Sequence, residues 1–206
     1  MEGLESYKEL KKHCFKTRLS KVSRKVIEYL QDESNVIPER YFSKNLQVEG
    51  EEKKTAPEHI TAELDSLKLC FDSAVAEFKS LYIKIEAQGC KDMANWVTNL
   101  QFTTFDELLM CIKYSDMLSD YLQDLPDNMQ ELMLVFKKWY SLNKAMEFHC
   151  FVLDNKLKGI CQRYTNAYYD FYPSFFSTSM IDSIQGLFEK IDKCVGKAEC
   201  RLKRQI

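Results

Sequence analysis

Glycine, proline and histidine are all scarce in this chain. Only 6 glycines and 4 prolines occur in 206 residues. Folds rich in β-strands need many tight turns, and those turns favour glycine and proline, so the scarcity argues against a β-rich fold. Only 3 histidines are present, and none has a histidine or cysteine partner three or four residues away. We therefore expect no helical metal site.

The usual signatures of catalysis are also missing. The glycines are isolated, so no glycine-rich loop is available to hold a phosphate, and there is no G-x-S-x-G nucleophile motif. Charge is nearly balanced, with a formal net charge of −2. Nothing in the overall charge directs the protein to nucleic acid. We predict a protein with no catalytic residue, no metal and no cofactor, and hence not an enzyme.

The cysteines and the absence of long apolar runs indicate a compartment. The 8 cysteines form no C-x-x-C pair. Residues 1–12 are charged and lack the apolar core of a secretory signal, and no run approaches 18 apolar residues. We expect reduced thiols and a cytoplasmic or nuclear protein that is neither secreted nor membrane-spanning.

An apolar repeat between Met129 and Phe171 dominates what is present. Positions spaced alternately three and four apart are apolar throughout, except for Asn143. A 3.5-residue repeat held over six heptads is typical of a helix packed along its whole length. It predicts one long helix over about 127–172, within an all-α, elongated antiparallel helical bundle with coiled-coil-like heptad packing. Asn143 is interpreted either as a register device or as a partly solvated residue.

Residues 1–46 are expected to form a basic helical arm, 47–56 a flexible linker, and 57–206 the main bundle. Heptad spacing predicts a helix from Pro57 to Ile85, with Gly89 just beyond its end. Capping signals predict two more helix starts, and the residues concerned are Thr104 with Glu107 and Ser179 with Asp182.

An aromatic cluster near the end of the long repeat is the candidate partner-binding site. Exposed tyrosine and phenylalanine are common in interface hot spots because they bury a large area at low entropic cost. The alternative is that they close a corner of the core. The residues assigned to partner binding are Tyr168, Tyr169, Tyr172, Phe175 and Phe176.

Two charged surfaces are also predicted. Lys8 to Lys25 contains eight cationic residues and the single acid Glu9. The predicted basic surface on the N-terminal helix consists of Lys11, Lys12, Lys16, Lys21, Arg24 and Lys25. The predicted acidic surface consists of Asp116, Asp120 and Asp124, spaced four apart on one helix face. Either set can also be an ordinary solvated helix face.

These features favour a non-enzymatic adaptor or scaffold subunit of an intracellular complex. The expected partner is another protein, bound through a helix or peptide, with homo-oligomerisation as an alternative. Nucleic acid is disfavoured. Two alternatives are a BAR-like membrane-surface module that uses the basic helix, and a helical domain that binds a small lipid.

Overall fold

The computed structural model describes residues 12, 14–32, 37–42, 58–95, 97–170 and 179–195. The chain divides into two compact units. One comprises residues 16–139, and the other comprises residues 1–15 with 140–206. Each unit is described by itself. The predicted linker 47–56 lies outside the described residues.

A four-stranded antiparallel sheet is the centre of the unit 16–139. Its strands are β1 (Thr17–Ser23), β2 (Leu81–Ile85), β3 (Gln88–Gly89) and β4 (Glu131–Lys138), in the order β1-β4-β2-β3. In the register, Leu19 and Lys84 lie opposite Val135 on either side of β4. Because side chains alternate between the two faces of a strand, this register fixes which residues share a face.

Helices cover one face of this sheet. They are α1 (Arg24–Gln31), α2 (Glu58–Phe78), α3 (Phe105–Tyr114) and α4 (Asp116–Gln123). The apolar positions predicted for α2 are buried, but the helix ends at Phe78, where Lys79 adopts a positive φ of 73°. The predicted cap of α3 is confirmed, since Glu107 Oε2 accepts from the Thr104 N–H at 3.0 Å.

The core of this unit lies between the helices and the sheet. Phe71 of α2 packs edge-on against Phe105 and Phe136, with ring centroids 5.8 and 5.7 Å apart. Lys113 is also buried. Its ammonium donates to the carbonyl oxygens of Tyr29 and Asp32, so α3 supplies donors to the C-terminal end of α1.

The other unit contains a β-hairpin and one helix. The hairpin consists of β5 (Phe148–Leu153) and β6 (Lys156–Gln162), and the helix is α5 (Ser179–Val195). Helix α5 begins where the sequence predicted. Both hairpin turn residues, Asp154 and Asn155, have positive φ, as a two-residue type I′ turn requires.

The all-α prediction is wrong: the described residues form a mixed α/β fold. The predicted helix over 127–172 is replaced by β4, a 3₁₀ turn at Lys144–Met146 and the hairpin β5–β6. Four positions of the repeat, Leu132, Phe136, Cys150 and Leu153, lie in β4 and β5, whose sequences are almost continuously apolar, so that several spacings fit equally well. Asn143 caps the 3₁₀ turn by accepting from the Ala145 N–H at 3.0 Å, so the register-device interpretation is also wrong.

Three smaller predictions fail for related reasons. Residues 17–23 of the predicted basic helix form strand β1, and only residues 24–31 are helical there. Gly89 lies in strand β3 rather than after a helix. The BAR-like and lipid-binding alternatives both relied on a helical bundle, which the described residues do not form.

Within the described part of the chain, no helix has the length and apolar character needed to cross a bilayer. The six cysteines described there are free thiols.

Candidate functional site

The sheet face opposite the helices carries the most distinctive group of side chains. Leu132, Leu134 and Phe136 point into the core, so alternation directs Val135 and Lys137 to the other face. Val135 is only 8% exposed, yet it is not part of the main core cluster. This outer face is therefore a separate surface with its own packing.

Three lysines define what we call the lysine face, namely Lys84, Lys91 and Lys137. Lys84 on β2 is diagonal to Lys137 on β4, because Lys84 pairs with Val135 and Tyr82 pairs with Lys137. Such diagonal neighbours lie about 7–8 Å apart. Lys91 begins the 3₁₀ turn Lys91–Asn95 that follows β3. The topology thus brings together three cations that are distant in sequence.

The lysine face is electrostatically unbalanced. The pKa of Lys84 lies below its ordinary value because burial disfavours the charged form and because Lys137 and Lys91 repel it. Its ammonium donates to the Ala87 carbonyl oxygen at 3.0 Å. Within the described ranges, no carboxylate forms an ion pair with these three lysines. An anionic group bound here would relieve the repulsion among them.

Neighbouring contacts hold the backbone that carries these lysines. The Tyr82 hydroxyl lies over Gly89, where a Cβ would come within 2.5 Å of it. Asp92 accepts from the Ser115 hydroxyl at 2.8 Å and from the Met117 N–H at 3.3 Å, which ties the Lys91 turn to the start of α4. The lysine positions are therefore set by the fold rather than by flexible loops.

The described residues of the predicted basic surface lie in different elements of the chain. Lys12 and Lys16 are exposed, and Lys11 lies outside the described residues. The other three form ion pairs with nearby acids, and these pairs are Lys21–Glu131, Arg24–Glu28 and Lys25–Glu63. Because β1 replaces residues 17–23 of the predicted helix, Lys21 lies on a strand while Arg24 and Lys25 lie on α1. Their binding role stays a prediction.

The predicted acidic residues keep their spacing. Asp116 and Asp120 lie on α4, Asp124 directly follows it, and all three are exposed. The described residues contain no cluster of acids, histidines and cysteines suited to a metal ion. An acidic docking role for this face stays a prediction.

The predicted aromatic site is only partly described. Tyr168 is 75% exposed, and Tyr169 is half-buried with contacts of its own. Both lie in irregular chain rather than on a helix. Tyr172, Phe175 and Phe176 lie outside the described residues. Partner binding by these five aromatics stays a prediction.

Sequence reasoning missed the lysine face because its members meet only after strands pair. The available signal was the segment Leu81–Ile85, which alternates Leu-Tyr-Ile-Lys-Ile as a half-buried strand does. The sequence offered no comparable signal for the pairing of β2 with β4, which are separated by α3 and α4.

The described residues define a mixed α/β protein with a cationic sheet face. The chain belongs to the D123 family, whose model matches residues 7–199. Relatives named "Translation initiation factor eIF2 assembly protein" are similar to it. The relative from Sclerotinia sclerotiorum is 24% identical over 88% of this chain and 50% of its own length. The relative from Danio rerio is 28% identical over 79% of this chain and 53% of its own length.

A solved structure supports the fold. C-terminally truncated Cdc123 from Schizosaccharomyces pombe superposes with a TM-score of 0.65 at 20% identity, covering 94% of this chain and 75% of that chain. The likeness confirms a Cdc123-like fold. The chain spans about half the length of the first curated relatives it matches.

Proposed function

We propose that this chain assists the assembly of the translation initiation factor eIF2 by binding one or more of its subunits. The observation that carries the proposal is the family match over residues 7–199. The name shared by relatives as distant as a fungus and a fish points to eIF2 assembly. This narrows the adaptor expectation to a particular complex. We place the activity in the cytoplasm, where translation takes place.

We further propose that the lysine face contacts an acidic part of the subunit. Lys84 and Lys137 share one sheet face with the apolar residues Leu19 and Val135. A surface that combines unpaired cations with apolar area suits a partner of opposite charge, because complementarity speeds and orients association. The chain acts here by binding, without catalysing a reaction.

A replacement experiment in fission yeast tests the function. Its own family member is depleted, this chain is expressed instead, and eIF2 subunits are separated by sedimentation. We expect the subunits to shift from free pools into the complete complex. An unchanged free pool, with this chain well expressed, would contradict the proposal.

Charge reversal tests the surface. The double variant Lys84→Glu/Lys137→Glu should lose the rescue, whereas Lys190→Glu, an exposed lysine on α5, should retain it. Equal rescue by both variants would refute binding through the lysine face but would leave the proposed assembly role standing.

A further inference from the structure

The hairpin β5–β6 is more exposed to solvent than the apolar sequence of β5 would suggest. β5 reads Phe-His-Cys-Phe-Val-Leu, a nearly continuous apolar run of the kind typical of strands covered on both faces. Yet every residue of the two strands is half-buried or exposed. Phe151 is 58% and Leu153 is 61% exposed. An isolated two-stranded hairpin is marginally stable in water, so pairing with a further strand would stabilise β5 and β6.

Charge on the two strands of the hairpin has one sign. β6 carries Lys156 and Lys158, and neither strand contains an aspartate or glutamate. A register shift between Phe151 and Val152 makes Lys158 the extra residue of a bulge, and Lys158 is exposed. In the described part of the chain neither lysine forms an ion pair. Lys156 lines a groove together with two acids of α5, Glu189 and Asp192. Lys158 does not line that groove, so its charge is less balanced by nearby acids.

The strand edges are open as well. In the two-stranded sheet, β5 and β6 pair only with each other, and each therefore has an unpaired edge among the described strands. An unpaired edge presents a row of backbone donors and acceptors that an extended peptide can extend. A second copy of this chain fits less well, because pairing two β6 strands would bring four lysines into one interface.

We propose that an extended partner segment of alternating apolar and acidic residues adds to the hairpin as a third strand along β6. Its backbone pairs with the open edge, its acids meet Lys156 and Lys158 on the face that also carries Phe151 and Leu153, and its apolar side chains extend the opposite, half-buried face of Leu157 and Ile160. The hairpin and the lysine face belong to different units, and the proposal does not depend on the identity of the partner in translation.

Synthetic nine-residue peptides test the proposal with the full chain. One peptide alternates valine with glutamate, and its control alternates valine with lysine. Fluorescence anisotropy should show binding of the acidic peptide at least about tenfold tighter than of the basic one, and weakening with salt. The variant Lys156→Glu/Lys158→Glu should reverse that preference, whereas Lys190→Glu should not. Equal binding of both peptides to the unaltered chain would overturn the proposal.

Backbone pairing needs its own readout. Two further acidic peptides carry N-methyl groups on alternate amides, one set on odd and one on even positions, so that each loses the donors of one edge. We expect at least one of them to bind about tenfold more weakly. If both bind as well as the parent, attraction is by charge alone and strand addition is refuted. A stable dimer in light scattering that Phe151→Ser dissociates would instead assign the surface to a second copy and also refute it.

Discussion

Removing the buried ammonium of Lys113 should destabilise the unit 16–139. Lys113 is 8% exposed, and its Nζ donates to the Tyr29 carbonyl oxygen at 2.8 Å and to the Asp32 carbonyl oxygen at 3.1 Å. The same Nζ lies 4.2 Å from the centroid of the Tyr29 ring. Lys113→Met keeps the apolar stem and deletes every one of these interactions.

The size of the loss in unfolding free energy follows from the two carbonyl oxygens that lose their donor. An unsatisfied buried acceptor costs about 1–3 kcal/mol, and the Tyr29 carbonyl is the more buried of the two. The cation–π contact and the position at a helix C-terminus add about 1 kcal/mol. Burial lowers the pKa of Lys113, which shows that the buried charge also has a desolvation cost that methionine removes. We expect a net loss of about 2 kcal/mol.

Urea unfolding followed by circular dichroism measures this loss as a lower midpoint at unchanged slope. The matched control is Lys68→Met, which breaks the exposed i,i+4 pair with Asp72 and should cost no more than about 0.5 kcal/mol. A Lys113→Met variant as stable as the control variant, or more stable than the parent, would show that desolvation outweighs the contacts. The reasoning about this site would then be refuted.

Three further predictions concern backbone and ionisation. Gly89→Ala should cost about 1–3 kcal/mol because its Cβ meets the Tyr82 hydroxyl. In a thermal unfolding cycle, Tyr82→Phe should restore most of that loss. An absence of coupling between the two substitutions would contradict the contact. Asn155→Val should lower stability by about 1–2 kcal/mol because φ is 54°, whereas Asn155→Gly should not, and equal stability of the two would argue against the turn. Burial raises the pKa of Tyr41 to about 12 from 10.0, so the folded state holds this proton more tightly. Its stabilising contribution is complete below pH 10 and is lost as pH rises towards 12. Tyr41→Phe should therefore flatten the decline in stability measured by urea unfolding over that range, and an unchanged slope would contradict the assignment.

Helical segments could be predicted where periodicity and caps agree. In α2, apolar positions from Ile60 to Phe78 recur at helical spacing, and all of them are buried. In α3, Thr104 and Glu107 mark the start. Local patterns of this kind suffice because a helix satisfies its backbone hydrogen bonds within one segment.

The sequence does not distinguish these strands from a helix because two local signals compete. The stretch from Leu132 to Phe136 is uninterrupted apolar sequence, which fits a heptad, a helix core or a buried strand equally well. The scarcity of glycine does not exclude tight turns between strands. The hairpin turn uses Asp154 and Asn155, both of which tolerate positive φ and need no glycine.

The candidate site could not be predicted because it depends on pairing across the chain. Lys84 and Lys137 become neighbours only through the β2–β4 register. By contrast, the acidic residues Asp116 and Asp120 could be placed together, since four residues separate neighbours on one helix.

The proposal that this chain binds an eIF2 subunit through the lysine face can be tested directly. The most direct measurement is the affinity of the purified chain for each purified eIF2 subunit, by isothermal titration calorimetry. We expect saturable binding to at least one subunit, weakened about tenfold or more by Lys84→Glu/Lys137→Glu and unchanged by Lys190→Glu. Absence of binding to every subunit, with both proteins folded, would contradict it.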